Sequence, residues 1–317
     1  EYIHRLITEN KYYFLSRPRR FGKSLLLSTI KEVFSGNKEL FKNLFIYDKI
    51  EWNNHPVIHF DLSNTSFRST EDIFKRSIIA ELSRIGKRYN VEIESPVDHL
   101  EAFVQLIEKL SNINKVVILV DEYDKPIVEF ITDIEKAKRN REILKDFYSV
   151  IKSNDQNIKF CFITGVSKFS KVSIFSGLNN IKDISLNPDY ATICGYTEEE
   201  LYTDFADNIK FVADYMSVTE EQLKVDIKNW YNGYSWDGKT SVYNPYSILS
   251  FFQDKKFSTY WFSTGTPTFL IDKFKNDKLN PQDITNIEVF DAFFEKFEIE
   301  DLDFHLLLFQ TGYLTIK

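Results

Sequence analysis

The sequence predicts an α/β fold in which a parallel sheet lies between two layers of helices. Short apolar runs alternate with segments of helical periodicity over roughly the first 190 residues, as they do in β-α-β units. The run VVILV at 116–120 is apolar throughout, which is typical of a central strand buried on both faces. Several runs end in polar or charged loops, and open α/β sheets bind ligands at the carboxyl ends of their strands.

The predicted elements follow one another in the order that such a sheet requires. We expect strands at 11–16, 57–61, 116–120, 158–164 and 181–186. We expect helices at 23–34, at 69–89, from 95 onward and at 134–152. Ser69 and Asp72 have the spacing of a capping box, and Ser95-Pro96 is expected to open the third of these helices.

The pattern changes after residue 190 or so. Thr197 and Glu200 form a capping box that starts one helix, and a second helix is predicted at 220–230. A two-strand hairpin is predicted at 234–243 around an Asp-Gly turn, and a further helix follows an Asn-Pro pair at 244. This order of elements predicts a helical module that resembles a winged helix or a lid.

The chain is therefore expected to have three parts. These are an α/β core at 1–190, a helical or winged-helix-like lid at 191–270, and an extension at 271–317 that leads toward a further domain. The extension could not be assigned elements from its pattern. Its last segment, 304–316, is strongly apolar and is expected to pack against another part of the protein.

Composition limits the class of protein. The chain has 317 residues and a net charge of −7, so it has no overall attraction to phosphate backbones, although a local basic patch is compatible with this charge. Its two cysteines, Cys161 and Cys194, are expected to be reduced structural thiols in a cytoplasmic protein. No apolar run approaches the roughly 20 residues needed to cross a bilayer, so we expect no membrane partner.

The segment RPRRFGKS at 17–24 lies between a predicted strand and a predicted helix, which is the context of a phosphate-binding P-loop. Gly22 would let the backbone approach a phosphate, Lys23 would reach the β- and γ-phosphates, and Ser24 would ligate Mg²⁺. The residues expected to contact a nucleotide are Pro18, Arg19, Arg20, Phe21, Gly22, Lys23 and Ser24. Arg17 occupies the position of the first glycine in GxxxxGK[ST], so a basic turn before an amphipathic helix remains the alternative.

A second motif follows about 100 residues later, where an apolar strand ends in Asp121 and Glu122. This is the arrangement of a Walker B motif. Asp121 would hold Mg²⁺, and Glu122 would orient and deprotonate the attacking water. An acidic strand end alone is usually a helix cap, but the two motifs together in this order favour a nucleotide site.

Three weaker signals accompany these motifs. In ATPases of the AAA type, the strand beside the Walker B strand carries a polar residue near the γ-phosphate. Thr164 is the candidate for this residue, and Ser167 and Lys168 are secondary candidates. An ordinary turn at the end of a strand explains these residues equally well. Arg19 and Arg20 could act as arginine fingers, or pair with acids such as Asp124. Asp61 could support Mg²⁺, although helix capping is favoured. A guanine-reading Asn-Lys-x-Asp motif is missing from the sequence, which favours ATP over GTP.

Taken together, several segments resemble the predicted AAA-ATPase-like bacterial proteins. The matching segments are FLSRPRRFGKSLLLSTI, VVILVDEYDKPI, ITGVSKFSKVSIFSGLNNI, CGYTEEEL, WYNGYSW and VYNPYSIL. The resemblance implies that the arginine at position 17 is the family's own variant of the P-loop, and that Lys23, Ser24, Asp121 and Glu122 are nucleotide- and Mg²⁺-site positions. Members of the family often continue into a PD-(D/E)xK nuclease-like domain, and we find no such constellation in this sequence.

These observations predict an ATP-binding, Mg²⁺-dependent P-loop ATPase that acts as a nucleotide-driven switch and turns over slowly without a partner. One alternative is an interaction module that binds nucleotide but does not hydrolyse it. Another is a DNA-associated ATPase partnered with a nuclease domain. A nucleic-acid or protein partner is expected to bind through the C-terminal region, and the sequence leaves the oligomeric state open.

Overall fold

The computed structural model describes residues 1–168, 174–175, 178, 180–265 and 303–316. Five parallel strands form its main sheet in the order β2-β3-β4-β1-β5. They are β1 (Tyr12–Ser16), β2 (Val57–Asp61), β3 (Val116–Asp121), β4 (Ile158–Gly165) and β5 (Lys182–Asp183). Because β4 lies between β1 and β3, the two strands that carry the predicted motifs are not neighbours in the sheet.

Helices cover both faces of this sheet. In chain order they are α1 (Tyr2–Glu9), α2 (Lys23–Phe34), α3 (Glu71–Lys87), α4 (His99–Ser111), α5 (Lys125–Val128) and α6 (Ile134–Ser153). Alternate residues of the central strands enter opposite cores. On β3, for example, Ile118 belongs to the core beneath α3, α4 and α6, whereas its neighbour Leu119 belongs to the core beneath α1 and α2. The predicted parallel sheet between two helical layers is therefore confirmed.

A second group of elements follows the sheet. It comprises α7 (Glu198–Asp204), α8 (Ala206–Met216), α9 (Glu220–Tyr231), β6 (Tyr234–Ser235), β7 (Ser241–Val242), α10 (Pro245–Asp254) and α11 (Tyr260–Gly265). The helices α7 to α10 share their own apolar cluster. The Thr197–Glu200 capping box and the Asn244 cap are both formed, and β6 and β7 pair as the predicted antiparallel hairpin. Whether this group is a winged helix remains a prediction, as does the division of the chain into three parts.

The structure differs from the sequence expectations at several helix starts. The helix expected at residue 69 begins at Glu71, because Thr70 rather than Ser69 caps it by accepting a hydrogen bond from the Ile73 amide. The helix expected from Ser95-Pro96 begins at His99, because the Asp98 carboxylate accepts bonds from two amides of its first turn. A capping side chain satisfies amides that the helix itself leaves free, so it sets the first residue.

Other differences concern elements rather than ends. The strand expected at 181–186 is only two residues long, since β5 pairs with β1 at Lys182 and Asp183 alone. The helices α1, α5, α8 and α11 were not expected. The apolar segment at 304–316, expected to pack against another part of the protein, is α12 (Phe304–Thr311) followed by an irregular tail, and it packs on the cores of the main sheet. The segment 271–302, whose elements could not be predicted, lies outside the described residues.

None of the helices within the described ranges combines the length and the apolar character needed to cross a bilayer.

We predict that Ile118→Ala lowers the free energy of unfolding by about 2–5 kcal/mol, because it opens a cavity in the buried centre of the sheet. Ile113→Ala is the matched control, since this side chain is 59% exposed at the turn before β3, and we expect it to change stability by less than about 0.5 kcal/mol. Denaturant unfolding measures both. Equal losses in the two variants would contradict the position of β3 at the centre of the core.

Candidate active site

The loop between β1 and α2 presents helix amides to an open cleft. Gly22 is the residue before the first turn of α2, and its φ of +89° is a left-handed conformation that glycine adopts without strain. No side chain among the described residues caps α2, and its first turn contains no acidic residue. The amides at the start of α2 therefore remain available to an anion, which the helix dipole also favours.

The Lys23 side chain lies inside this loop. It is buried, and its Nζ donates hydrogen bonds to the carbonyl oxygens of Arg17 at 3.0 Å and Pro18 at 3.1 Å. The lysine side chain thus reaches from the start of α2 back to the first two residues of the loop. A positive charge is held where the loop curves around the cleft.

The Asp121 carboxylate joins three elements at the carboxyl edge of the sheet. Its Oδ2 accepts a hydrogen bond from the Ser24 hydroxyl at 2.5 Å, and its Oδ1 accepts one from the Thr164 hydroxyl at 2.9 Å. The Glu122 amide also donates to Oδ1, at 3.0 Å. The structure therefore brings the predicted metal residues Ser24 and Asp121 into direct contact, with the predicted sensor Thr164 beside them.

Glu122 follows at a sharp bend of the chain. Its φ of +53° is left-handed, which is uncommon for a residue with a side chain. Burial raises the pKa of the Glu122 carboxyl above its usual value, and the nearby carboxylates of Asp124 and Asp121 act in the same direction. Lys23 and Lys125 oppose this shift in pKa. A carboxylate with a raised pKa at the edge of a cleft is suited to accept a proton.

Asp124 has a different role from the one considered for it in the sequence. Its carboxylate is buried and accepts hydrogen bonds from the amides of Val166 and Ser167 and from the Ser167 hydroxyl, so it holds the end of β4 rather than pairing with Arg19 or Arg20. Ser167 is occupied by this contact. Lys168, the other secondary candidate, forms an ion pair with Asp183 at 3.0 Å.

An open, polar cleft of about 520 Å³ lies over these groups. Its lining includes four cations, which are Arg19, Arg20, Lys23 and Lys125, and four acids, which are Asp61, Asp121, Glu122 and Glu129. Gly22, Ser24, Leu25 and Ser63 complete it. The volume lies within the range of small-molecule sites, and the mixture of charges is suited to a polyanion accompanied by a cation.

Two of the predicted loop residues, Pro18 and Phe21, face away from the cleft. The Phe21 ring is buried against Tyr234 and Trp236, and the Pro18 ring packs close to Gly312. Neither residue lines the cleft, so any contact they make with a nucleotide is through the backbone. The Arg20 guanidinium lies 4.7 Å above the ring of Tyr246 on α10, at the rim of the cleft.

Several cleft residues were not predicted or were given another role. Lys125, the first residue of α5, and Glu129 are not among the predicted site residues, yet both line the cleft. Glu129 also forms an ion pair with Arg68 at 2.7 Å. Asp61 does cap the short 3-10 helix after β2, as the sequence favoured, by accepting from the Ser63 amide. It also stands opposite Asp121 in the register of β2 and β3, a juxtaposition that the strand order produces.

The site contains donors for a hard divalent cation. A hydroxyl and a carboxylate at adjacent positions are ligands that Mg²⁺ accepts, with phosphate oxygens and water completing its shell. Within the described part of the chain, no group of three or more His, Cys, Asp or Glu side chains forms a metal cluster. The residues therefore fit a Mg²⁺ ion that arrives with a phosphate ligand better than a metal held by protein alone.

Comparison with known proteins agrees with this geometry. A family model described as "Predicted AAA-ATPase" matches residues 1–175, which include the P-loop, β3 and β4. The chain is also 41% identical over 314 residues to a protein of Azotobacter chroococcum mcd 1 described as "Uncharacterized protein in vnfD 5'region". That alignment covers 98% of this chain and 58% of the relative, so the chain spans less than two thirds of the relative's length. No solved structure matches the chain. Because the family model covers more than half of its residues, the chain belongs to the predicted AAA-ATPase family.

Proposed function

We propose that this protein binds ATP with Mg²⁺ at the β1–α2 loop and hydrolyses it. The observation that carries the proposal is the hydrogen bond of 2.5 Å between the Ser24 hydroxyl and the Asp121 carboxylate, at the floor of an open cleft beside Lys23. A serine at the start of α2 and an aspartate at the end of β3 lie 97 positions apart in sequence, and the fold brings their side chains together. Such proximity is what two ligands of one Mg²⁺ would need.

Each group then has a distinct role. The amides of Gly22, Lys23 and Ser24 bind phosphate oxygens, and the Lys23 ammonium exchanges its two carbonyl acceptors for the β- and γ-phosphates. Ser24 and Asp121 would hold Mg²⁺, which would neutralise phosphate charge. Lys23 is buried, so its charge acts on a phosphate with little screening by water.

Hydrolysis is assigned to Glu122. Its carboxylate lines the cleft and accepts a proton from the attacking water, for which its raised pKa is suited. Thr164 fixes the orientation of the Asp121 carboxylate through its hydrogen bond and lies on the strand between the two motifs. Arg19 lines the cleft beside Glu122 and is the candidate for stabilising charge on the γ-phosphate.

We also propose that the nucleotide acts as a switch on the helical region, which would serve as a lid. Support comes from contacts between that region and the loop. The Trp261 indole N–H donates to the Arg19 carbonyl at 3.1 Å, and Arg20 stacks on Tyr246. A ligand that moves the loop would move these contacts, and protein or nucleic-acid partners would respond through the C-terminal region.

We predict that Lys23→Ala weakens binding of a fluorescent ATP analogue by about 10- to 100-fold, because a charge-assisted contact with phosphate is lost. Lys31→Ala is the control, since Lys31 lies on the same helix and does not line the cleft. Fluorescence titration in the presence of Mg²⁺ measures both dissociation constants. Unchanged affinity in Lys23→Ala would contradict the assignment of the loop.

We predict that Glu122→Gln retains ATP binding but releases phosphate about 10²- to 10⁴-fold more slowly than the wild type, because the proton acceptor is removed. Glu108→Gln, at an exposed position of α4, controls for the loss of one negative charge. A phosphate-release assay together with a binding titration separates the two steps. If the wild type binds ATP but releases as little phosphate as Glu122→Gln, the protein is a nucleotide-gated binding module rather than an ATPase.

We predict that turnover falls on the acid side at a pH above 4.5, the ordinary pKa of a glutamate, because the pKa of Glu122 is raised and its deprotonated form is the active one. The activity is present above the raised pKa and is lost as the pH falls through it. The pH dependence of kcat/KM for phosphate release, which reports the free protein, measures this limb across the acid range. A rate that stays constant down to pH 4.5 while the protein remains folded would exclude Glu122 as the base.

A further inference from the structure

Arg17, the residue in place of the first P-loop glycine, points away from the cleft. Its side chain is only 1% exposed. The guanidinium donates hydrogen bonds to the carbonyl oxygens of Ser16 at 2.9 Å, Ser185 at 2.7 Å and Tyr190 at 3.1 Å. These acceptors belong to the end of β1 and to the chain that follows β5, so one side chain fastens the root of the loop to the edge of the sheet.

The backbone at this position does not need a glycine. Arg17 is not among the residues with positive φ, and its amide donates to the Gly165 carbonyl at 3.2 Å, which extends the pairing of β1 with β4 by one step. The loop turns later, at Arg20 and Gly22, whose φ angles are +67° and +89°. The arginine therefore occupies this position without backbone strain.

A group of aromatic side chains packs behind the loop and receives Arg17. We call Phe21, Tyr234, Trp236, Trp261, Phe309 and Tyr313 the aromatic collar. Successive rings in it lie 4.8–6.1 Å apart. The Arg17 guanidinium lies 4.5 Å above the Trp236 ring. Because Trp236 lies in the β6–β7 turn and Phe309 in α12, the collar joins the loop to both C-terminal parts of the fold.

One further contact connects Arg17 to the chemistry. Its carbonyl oxygen is one of the two acceptors of the Lys23 ammonium, at 3.0 Å. The Arg17 guanidinium holds residue 17 on the side of the sheet edge, and the Arg17 carbonyl holds the Lys23 ammonium on the side of the cleft. Displacement of Arg17 would displace the charge that is proposed to meet the phosphates.

We infer that Arg17 is a positioning residue for nucleotide binding, which holds the P-loop against the sheet edge and the aromatic collar so that Lys23 is aligned with the phosphates. The inference rests on the proposed function of the same site. The glycine of a consensus loop cannot perform this role, because it has no side chain to donate hydrogen bonds to the sheet edge or to pack on the aromatic collar. Through its contact with Trp236, Arg17 also connects the β6–β7 hairpin to the P-loop, so that a movement of the hairpin would change the position of the loop.

The charge of Arg17 persists under ordinary conditions. Burial lowers the pKa of the Arg17 guanidinium to about 10, which leaves it protonated at neutral pH. Its recorded acceptors are carbonyls, and a planar fork with several N–H groups suits three such acceptors at once. A lysine keeps the charge but lacks the fork, so it should reach fewer of the three carbonyls.

The decisive variant is Arg17→Gly, which restores the consensus motif. We expect it to weaken binding of the fluorescent ATP analogue by about 10- to 100-fold, although the sequence of the loop becomes more typical. We expect Arg17→Lys to weaken binding less than Arg17→Gly does. Leu106→Ala in α4, which is buried in the other core, is the control for general destabilisation and should bind like the wild type at temperatures where it is folded.

A double-mutant cycle with Lys23→Ala separates positioning from a structural effect. If Arg17 acts through Lys23, Arg17→Gly weakens binding much less in the Lys23→Ala background than in the wild type. Equal effects in both backgrounds overturn the inference. So does wild-type affinity in Arg17→Gly or, if that variant fails to fold, in Arg17→Lys. Absence of ATP binding by the wild type would instead refute the proposed function itself.

Discussion

The carboxylate of Asp121 is the contact on which the candidate site depends. Three elements that are far apart in sequence place polar groups around it: α2 contributes the Ser24 hydroxyl, β4 contributes the Thr164 hydroxyl, and the turn after β3 contributes an amide. A buried carboxylate without such donors would pay a large desolvation penalty. The site is thus already organised by its own hydrogen bonds, and Ser24 and Asp121 would be the protein ligands of a Mg²⁺ ion bound with the nucleotide.

The topology of the sheet explains why these groups meet. In a parallel sheet all the carboxyl ends lie at one edge, and here β4 is inserted between β1 and β3. Because β1 and β3 are not neighbours, it is the loop at 17–22 that crosses the end of β4 and places Ser24, near the start of α2, at Asp121. The same arrangement sets Asp61 beside Asp121 through β2. Both relations follow from strand order, which no local sequence pattern specifies.

The sequence predicted the parts of the fold that local physics determines. Apolar runs located the four long strands, and the Asn244 cap and the Asp-Gly turn located the helical region's elements, because burial and capping act over a few residues. The sequence did not predict the elements whose extent is determined by tertiary contacts. The strand β5 is short because only two residues reach β1, and α12 was not recognised because its apolar residues, such as Leu307, give no alternating pattern when they face two cores. The place of Lys125 in the cleft was not predicted for a similar reason, since it depends on the bend at Glu122.

Arg17 shows how a departure from a motif can be read from its surroundings. A consensus glycine permits a tight approach to phosphate, yet here the turn is made at Arg20 and Gly22, so position 17 is free to carry a side chain. That side chain is long enough to pass beneath the loop and reach Trp236. The conformation of a loop anchored in this way does not depend on the loop alone. It also depends on a hairpin more than 200 residues away in sequence. Nucleotide binding would then be coupled to the helical region through Arg17 at the start of the loop, rather than through Arg20 at the edge of the cleft.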